Sequence, residues 1–422
     1  MSIALESISA LRQIPHKVAA SLVSAFWKGV LRRARHTREK LATIKSAPRI
    51  WNASLIVRDR TGKPRIDQMR EIARLWLGSS RLPPSHYYAY ELYDDSRYTF
   101  AEKKEFVGWG WQVLGRKLNN PEWTAICDDK LMCYGLFRGL CLPHPEIYAV
   151  YHPNGRTFGP VPSLHTPLEM AEFLRHRMRY PFFGKPVRDC RGGGASLVEA
   201  IDRDRDVLLL AGGAEMSVED YVREVPVALC AGKKVRANRP SGYLFQELIA
   251  QHPLINRLSG GRVSTLRMVV LLGDDGPRLF RVSWKLPVGN NITDHAIGVR
   301  GNIKCSIDRA TGRVERVYQG LGPGDKDVYA LGMFGKLVEA HPDTGEPLTD
   351  VELPYWEKTV ALCLQAAAAF PGIRYQSWDI AMGVEGPMLL ELNHLGGILQ
   401  VPGCQGLNDA EFRQYMKSIE RA

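Results

Sequence analysis

Several features that would assign this chain to a protein class are missing. Its eight cysteines form no CxxC pair, so the spacing typical of a structural zinc site is absent. No apolar run of about 18 residues occurs, which argues against a membrane-spanning helix. The N-terminus lacks a charged stretch followed by an apolar one, so we expect no secretory signal. Scattered cysteines without a signal favour a reducing, cytoplasmic location.

Motifs of several functional classes are missing as well. No GxxxxGK[ST] sequence is present, which excludes a P-loop nucleotide site. No motif of an RNA- or DNA-binding domain occurs, so we expect no nucleic-acid partner. Internal repeats and low-complexity tracts are absent. The 422 residues are therefore expected to form two or three ordinary domains.

Basic residues concentrate at the N-terminus. Residues 1–49 hold ten Lys/Arg and two acids, a net charge of +8, whereas the rest of the chain adds only +3. Apolar residues recur at helical spacing from Leu22 to Leu31, with lysine and arginine interleaved. Such a helix can pack on the protein body, lie on an anionic membrane surface or dock on a partner protein. Membrane contact would make the protein peripheral at the inner membrane face.

The rest of the chain divides into a mainly helical region, residues 50–125, and a mixed region, residues 126–422. The first contains a periodic helix, Ile66–Leu77, and a second predicted helix, Thr99–Lys117, which begins at a Thr99–Glu102 capping box. The second has short strands and helices in alternation, and we divide it at residue 242 into subdomains 126–242 and 243–422. This pattern predicts an α+β protein.

The mixed region contains both hairpin and helix signals. Glu146–Tyr151 and Arg156–Pro160 are predicted to pair around a turn at His152–Gly155. Lys130–Leu140 and Pro354–Phe370 are predicted helices. The other predicted strands are Phe182–Val187, Ala195–Ile201, Tyr243–Glu247, Val263–Leu272, Arg278–Pro287 and Ile303–Asp308.

An acidic hairpin near the C-terminus is the most informative stretch. Residues 376–393 read as two strands with period-2 alternation around a turn at Gly383–Pro387. This hairpin sets Asp379 opposite Glu391, with Cβ atoms about 4.5–5.5 Å apart, and Asn393 joins the same face. Two carboxylates and an amide oxygen suit Mg²⁺, which binds one or two carboxylates plus substrate phosphates. The alternative is a solvent-facing strand pair whose acids are hydrated.

A glycine-rich loop forms the second candidate site. One predicted strand carries Lys185, and the loop Arg191–Ala195 leads into the next. Its three glycines let the backbone approach a ligand and turn N–H groups toward phosphate oxygens, while Lys185 supplies a positive charge. By itself such a loop can also be a mobile turn. A later apolar strand, Tyr243–Ile249, ends in a polar pair that could offer backbone groups to adenine.

In their order along the chain, these pieces resemble the ATP-grasp superfamily. The set runs from a DDK sequence at 128–130, through the lysine and glycine-loop hairpin at 185–194 and a QELI strand end at 246–249, to the acidic hairpin. The resemblance covers roughly Cys127–Gln405, and the E-x-N ending is its most specific part. Finer features resemble the sugar-transfer-associated ATP-grasp proteins, relatives of α-L-glutamate ligases. They are STLR at 264–267, VSWKLPVGNN at 282–291, IDRATG at 307–312 and ELNHLGG at 391–397.

The resemblance implies an ATP-grasp fold, in which two α+β subdomains clasp ATP, here preceded by a mainly helical region. It implies ATP and one or two Mg²⁺ ions as cofactors, with Mn²⁺ as an alternative ion. The implied ATP contacts are Lys130, Lys185, Arg191, Gly192, Gly193, Gly194, Gln246, Glu247 and Leu248, and the implied metal ligands are Asp379, Glu391 and Asn393. Arg267 and Lys285 are the candidate catalytic cations; each could instead be a surface base in an ion pair.

Ligases of this fold activate a carboxylate as an acyl phosphate, which an amine or hydroxyl then attacks. The resemblance therefore implies an ATP-grasp ligase of the carboxylate–amine type, acting on a small molecule, a glycan or a peptide. Cell-surface tailoring follows only from family association. The alternatives are an ATP-grasp kinase that phosphorylates a hydroxyl and a non-catalytic nucleotide-binding protein, which the intact acidic trio and the lysines disfavour.

Two positions depart from the pattern of the superfamily. Several ATP-grasp ligases carry an arginine two residues before the metal aspartate, where this chain has Ser377. Either the charge comes from elsewhere or the acceptor chemistry differs. The usual acidic partner of the ribose after the adenine strand also has no counterpart, because Gln251, His252 and Asn256 occupy that stretch.

Overall fold

The computed structural model describes residues 50–78, 80–108, 117–188, 193–230, 242–294, 301–320, 335–394 and 402–419. They divide into two compact units. Of the described residues, those up to 108 belong to the first unit together with 402–417, and 117–320 and 336–394 belong to the second. The predicted basic helix in residues 1–49 lies outside the described residues.

Helices and strands fall into distinct groups along the chain. Residues 50–61 are helical, and a π-helical stretch covers Arg223–Val227. The other helices are α1 Arg65–Leu77, α2 Pro84–Ala89, α3 Phe100–Lys103, α4 Pro121–Asp128, α5 Lys130–Gly139, α6 Pro167–His176, α7 Val218–Val222, α8 Ala228–Cys230, α9 Pro253–Leu258, α10 Trp356–Ala368 and α11 Ala410–Ile419. The strands are β1 Ile147–Tyr151, β2 Ser163–Leu164, β3 Phe182–Pro186, β4 Ser196–Asp202, β5 Val207–Leu210, β6 Ala214–Ser217, β7 Tyr243–Glu247, β8 Thr265–Gly273, β9 Gly276–Leu286, β10 Ile303–Ile307, β11 Val314–Gly320, β12 Gly335–Val338, β13 Tyr375–Met382 and β14 Pro387–Asn393. Within the described residues, none of the helices has the length and apolar character needed to cross a bilayer.

The first unit is helical, and aromatic residues fill its core. The predicted helix Ile66–Leu77 is confirmed as α1. The predicted helix Thr99–Lys117 is wrong in length, because α3 ends at Lys103 although the Thr99–Glu102 capping box is present. Gly108 lies close to the start of α2, where a Cβ would lie 2.2 Å from Pro83 Cδ.

The second unit contains two seven-stranded sheets. The first sheet has the order β2-β1-β7-β3-β4-β5-β6. The predicted hairpin of Glu146–Tyr151 with Arg156–Pro160 is wrong: β1 instead pairs in parallel with β2 and antiparallel with β7. Arg156–Pro160 forms no strand, since Gly159 has a positive φ of 55° and Pro160 has no N–H to donate to a ladder.

The second sheet carries most of the long antiparallel strands, in the order β12-β11-β10-β9-β8-β13-β14. One of its faces is apolar and buries Leu266, Trp284, Cys305 and Trp378 in the main core. Side chains alternate along each strand, so the polar residues between these positions share the opposite face. That face holds the acidic pair. The predicted helix Pro354–Phe370 is confirmed as α10, which contacts β8, β9, β13 and β14.

Candidate functional site

The predicted acidic hairpin is confirmed by the register of β13 and β14. Asp379 lies directly opposite Glu391, and Ser377 lies opposite Asn393. Since Asp379 and Ser377 are two residues apart on one strand, all four side chains share a face. The register shifts only after Asp379, at a bulge before Ile380. The prediction assumed a turn centred at Glu385. The bulge lies between the acidic pair and the turn, so Asp379 pairs with Glu391 although the pairs nearer the turn are offset by one residue.

Two cations hold the carboxylate of Asp379. Arg267 lies opposite it on β8 and donates from Nε to Oδ1 at 2.6 Å and from Nη2 to Oδ2 at 2.8 Å. Lys285 Nζ lies 3.1 Å from the same Oδ1. Burial acts to raise the pKa of Asp379, but Arg267 and Lys285 outweigh it and lower the pKa to about 2. The carboxylate is therefore ionised at neutral pH.

Arg267 brings a positive charge to Asp379, although position 377, two residues before it, is a serine. Its guanidinium reaches the aspartate from the neighbouring strand instead of from two residues earlier on the same strand. Its side chain and that of Asp379 are only 16% and 10% exposed. The alternative prediction, that Arg267 and Lys285 are surface bases, is wrong in this respect, because both side chains lie largely buried against the acidic pair.

Asp294 is a member of the cluster that the sequence did not reveal. Its Oδ1 lies 3.4 Å from Lys285 Nζ, and Thr265 Oγ1 donates to its other oxygen. Burial raises the pKa of Asp294, and the nearby charge of Asp379 adds to the effect, although Lys285 opposes it. Asp294 follows β9 in a loop with no spacing pattern, so no sequence signal pointed to it. Lys285 thus lies between two buried carboxylates.

Lys130 reaches the other acid of the pair. Its Nζ lies 3.6 Å from Glu391 Oε1. The position is set by Asp129, which caps α5 by accepting from the Leu131 and Met132 N–H groups and is itself held by Arg156 at 2.6 and 3.0 Å. Lys130 therefore begins α5 with its side chain directed to the acidic hairpin.

Lys185 ends beside a buried tyrosine that the sequence did not single out. Its Nζ donates to Tyr134 OH at 3.0 Å, and that hydroxyl lies 3.3 Å from Gln246 Oε1 and 3.0 Å from the Leu390 carbonyl. Tyr134 thus joins α5, β3, β7 and β14. Burial lowers the pKa of Lys185 to about 7, with the charge of Lys130 adding to the effect and Glu391 opposing it.

The base of the glycine loop is fixed to the first sheet. Tyr243 OH donates to the Gly194 carbonyl at 3.0 Å, and Gly194 has a φ of 73°, which favours glycine. Gly184 on β3 is required nearby, because a Cβ there would lie 2.7 Å from both Ser196 Oγ and the Tyr243 ring. Gly193 lies in the turn before β4. Arg191 and Gly192, both predicted to contact ATP, lie outside the described residues.

The predicted adenine strand is confirmed as a strand, while its role stays a prediction. β7 covers Tyr243–Glu247, with the Gln246 side chain buried against Tyr134. Glu247 accepts at Oε1 from the Glu146 N–H at 2.9 Å, which fixes its carboxylate at the β1 side of the sheet. Leu248 follows the strand and is partly exposed.

The acidic hairpin has the donor set of a magnesium–nucleotide site. Among the described residues no group of three or more His, Cys, Asp and Glu side chains could hold a metal ion. Asp379, Glu391 and the amide of Asn393 provide three hard oxygen donors on one face, and Mg²⁺ commonly completes such a set with phosphate oxygens and water. Among the described residues, Asn393 Nδ2 has no hydrogen-bond partner. Both oxygens of Asp379 accept from Arg267, so Glu391 and Asn393 fit an ion that arrives with a nucleotide, and Asp379 would join them by exchanging its bonds to Arg267.

Comparison with known families assigns the chain. The model of the sugar-transfer associated ATP-grasp family matches residues 112–420. The chain belongs to this family. The predicted ATP-grasp fold, its α+β class and the helical region before it are thereby confirmed. No curated protein matches the chain.

Several solved structures of ligases and synthetases are similar to the chain at low identity. The ATP-grasp ligase PsnB, in complex with a minimal precursor, shares 16% identity with a TM-score of 0.36, over 72% of this chain and 64% of PsnB. D-alanyl-alanine synthetase A from Vibrio cholerae shares 12% with a TM-score of 0.39, over 72% and 67%. The VanG D-Ala:D-Ser ligase from Enterococcus faecalis shares 13% with a TM-score of 0.38, over 72% and 63%. These TM-scores are too low for the likenesses to support a function for this chain.

Proposed function

We propose that this protein is an ATP- and Mg²⁺-dependent ligase. It activates a carboxylate as an acyl phosphate, which an amine or hydroxyl nucleophile then attacks. The observation that carries the proposal is the convergence of three cations on one acidic pair, Arg267 and Lys285 at Asp379 and Lys130 at Glu391, with Lys185 close by. Membership of an ATP-grasp family supports the same reading.

The cations have the distribution that phosphoryl transfer requires. The transferred group spreads negative charge over its oxygens, and catalysis consists largely of positioning and charge stabilisation. Asp379, Glu391 and Asn393 would hold Mg²⁺, which would supply positive charge to the phosphates. Lys130 and Lys185 would contact the phosphates, and the turn at Gly193 and Gly194 would offer backbone N–H groups to them.

Arg267 and Lys285 are proposed to stabilise charge on the reacting carboxylate and on the tetrahedral species that follows. Both are anchored by Asp379, and Lys285 also by Asp294, so their positions are fixed before a substrate arrives. Preorganised cations in a desolvated site stabilise developing charge without reorganisation during the reaction. An anchored pair of this kind favours acyl-phosphate chemistry, in which negative charge develops on the acceptor as well as on the phosphate.

The proposal is tested by ATP turnover against a pooled set of amino acids, sugar acids and hydroxylated sugars. Phosphorus NMR identifies the phosphate product, and mass spectrometry identifies the acceptor product. The ligase proposal predicts ADP, inorganic phosphate and a condensed product without phosphorus, formed only when a carboxylate is present. ADP together with a phosphorylated acceptor would establish a kinase instead. Nucleotide binding without any turnover across the pool would favour a non-catalytic role.

A further inference from the structure

The acidic pair is one end of a longer row of side chains across the second sheet. Directly paired residues place Glu391, Asp379, Arg267, Ser283, Ser306 and Arg316 side by side on β14, β13, β8, β9, β10 and β11. Paired residues in an antiparallel sheet point to the same face. The row therefore continues the site past Arg267 by three more strands.

The two serines in the middle of this row lack partners. Among the described residues, neither Ser283 Oγ nor Ser306 Oγ has a hydrogen-bond partner, and both oxygens are buried; Ser283 as a whole is only 2% exposed. A buried hydroxyl without a partner is uncommon and costs stability, so each such group calls for an explanation. Ser264, at the start of β8 in the same sheet, shows the usual situation: its hydroxyl bonds to Gln251 and Trp284 at 3.1 and 3.0 Å.

Positive charge surrounds the two unpartnered hydroxyls. Arg267 and Arg316 flank them along the row, and Arg316 is exposed. Lys285 lies two residues from Ser283 on β9, on the same face, and is directly opposite the buried Lys304 on β10. The hydroxyls can donate hydrogen bonds, and the flanking cations favour an anionic acceptor of those bonds.

We propose that Ser283, Ser306 and Arg316 bind a second anionic group of the substrate, remote from the group that reacts. This inference depends on the proposed ligase function, which places the reacting carboxylate at Arg267 and Lys285. Neighbouring strands lie about 4.8 Å apart, so Ser283, Ser306 and Arg316 lie about 5, 10 and 14 Å from Arg267 along the row. The substrate is therefore an extended molecule with two anionic groups, longer than a single amino acid. An acidic peptide and an oligosaccharide of uronic acids share this chemistry.

The test measures binding to two series of probes by calorimetry, in the presence of Mg²⁺ and a non-hydrolysable ATP analogue. The first series is acetylated peptides with two glutamates separated by zero to four glycines. An extended chain spans about 3.4 Å per residue, so two or three intervening glycines give the matching separation. The second series is oligogalacturonates of one to four sugars. We expect affinity to rise about tenfold or more at the matching length in one of the series.

Substitution of the serines separates binding from folding. Ser283→Ala, Ser306→Ala and Arg316→Gln should each remove most of the length preference. The two alanine variants should not lower the melting temperature of the free protein, because the hydroxyls they remove have no partner there. Ser264→Ala, the matched control, should lower the melting temperature and keep the length preference.

The outcomes distinguish this inference from the proposed function. A protein that does not bind the Mg²⁺–nucleotide analogue would contradict the proposed function itself. Nucleotide binding without a length preference in either series would overturn only the second anionic subsite. A length preference that survives in both serine variants would overturn it too, as would a loss of thermal stability in them equal to that of Ser264→Ala. A preference confined to one series identifies the source of the anion.

Discussion

Replacement of Arg267 by methionine tests the electrostatic centre of the site. The change keeps much of the aliphatic volume and removes the guanidinium that donates two hydrogen bonds to Asp379. Asp379 then remains buried with Lys285 as its cation. The loss of one partner from a buried ion pair leaves a charge that is only partly compensated, and this usually destabilises a protein more than the pair ever stabilised it.

The magnitude follows from the pKa of Asp379. The pKa falls from 3.8 to about 2 in the folded protein, which at about 1.36 kcal/mol per pKa unit corresponds to about 2 kcal/mol. This is a net effect after burial has opposed it, so removal of the main cation should cost more. We expect about 3–5 kcal/mol in the free energy of unfolding, the range typical of broken buried pairs.

Urea unfolding at pH 7 measures this cost, with Arg313→Met as the control. Arg313 pairs with Glu352 at the surface, where the two side chains are 48% and 68% exposed, so its loss should cost less than about 1 kcal/mol. The stability that Asp379 gains from its lowered pKa is complete above pH 3.8 and disappears as the pH falls toward 2. The difference between wild type and Arg267→Met should therefore narrow in acid. Equal costs for the two arginines, or a difference that does not change with pH, would refute the reasoning.

Two further predictions concern the nucleotide. Glu391→Ala should lower Mg²⁺-dependent ATP turnover by at least about a hundredfold with little change in melting temperature. The control Glu385→Ala, at the exposed hairpin turn, should leave turnover near wild type. Normal turnover in Glu391→Ala would show that Glu391 is not a metal ligand. Because the pKa of Lys185 is lowered to about 7, its ammonium is mostly deprotonated at pH 8, and contact with ATP phosphates should restore the proton. Nucleotide affinity should fall as the pH rises above 7, and calorimetry in buffers of different ionisation heat should show proton uptake that Lys185→Met abolishes; uptake that persists in this variant would assign the proton to another group.

The parts of the site that the sequence predicted share a local origin. Asp379, Glu391 and Asn393 belong to one hairpin, whose turn and period-2 alternation determine which residues lie opposite each other. The capping box at Thr99 likewise depends on residues three apart. In such cases short-range geometry alone relates the residues, so a single sequence contains the needed information.

The missed parts depend on contacts between distant segments. Tyr134 meets Lys185 and Gln246 only because α5 packs against the first sheet, and Asp294 meets Lys285 only through the course of a loop. The same cause explains why the predicted hairpin after β1 is wrong. The antiparallel partner of β1 is β7, which lies almost a hundred residues later in the chain. The residue pattern within one segment does not predict which distant strand it pairs with, or in which register.

The pairing of Asp379 determines where the acidic hairpin can change in length during evolution. Six consecutive residues of β13, Tyr375–Ile380, pair with β8. This pairing fixes the register of β13 independently of the turn that leads to β14. The bulge after Asp379 already absorbs one residue of mismatch between the acidic pair and the turn at Gly383–Gly386. Insertions or deletions at the tip should consequently be tolerated without moving Asp379 from Glu391. The turn can therefore gain or lose residues among homologues, or accept an inserted tag, while the acidic pair keeps its geometry.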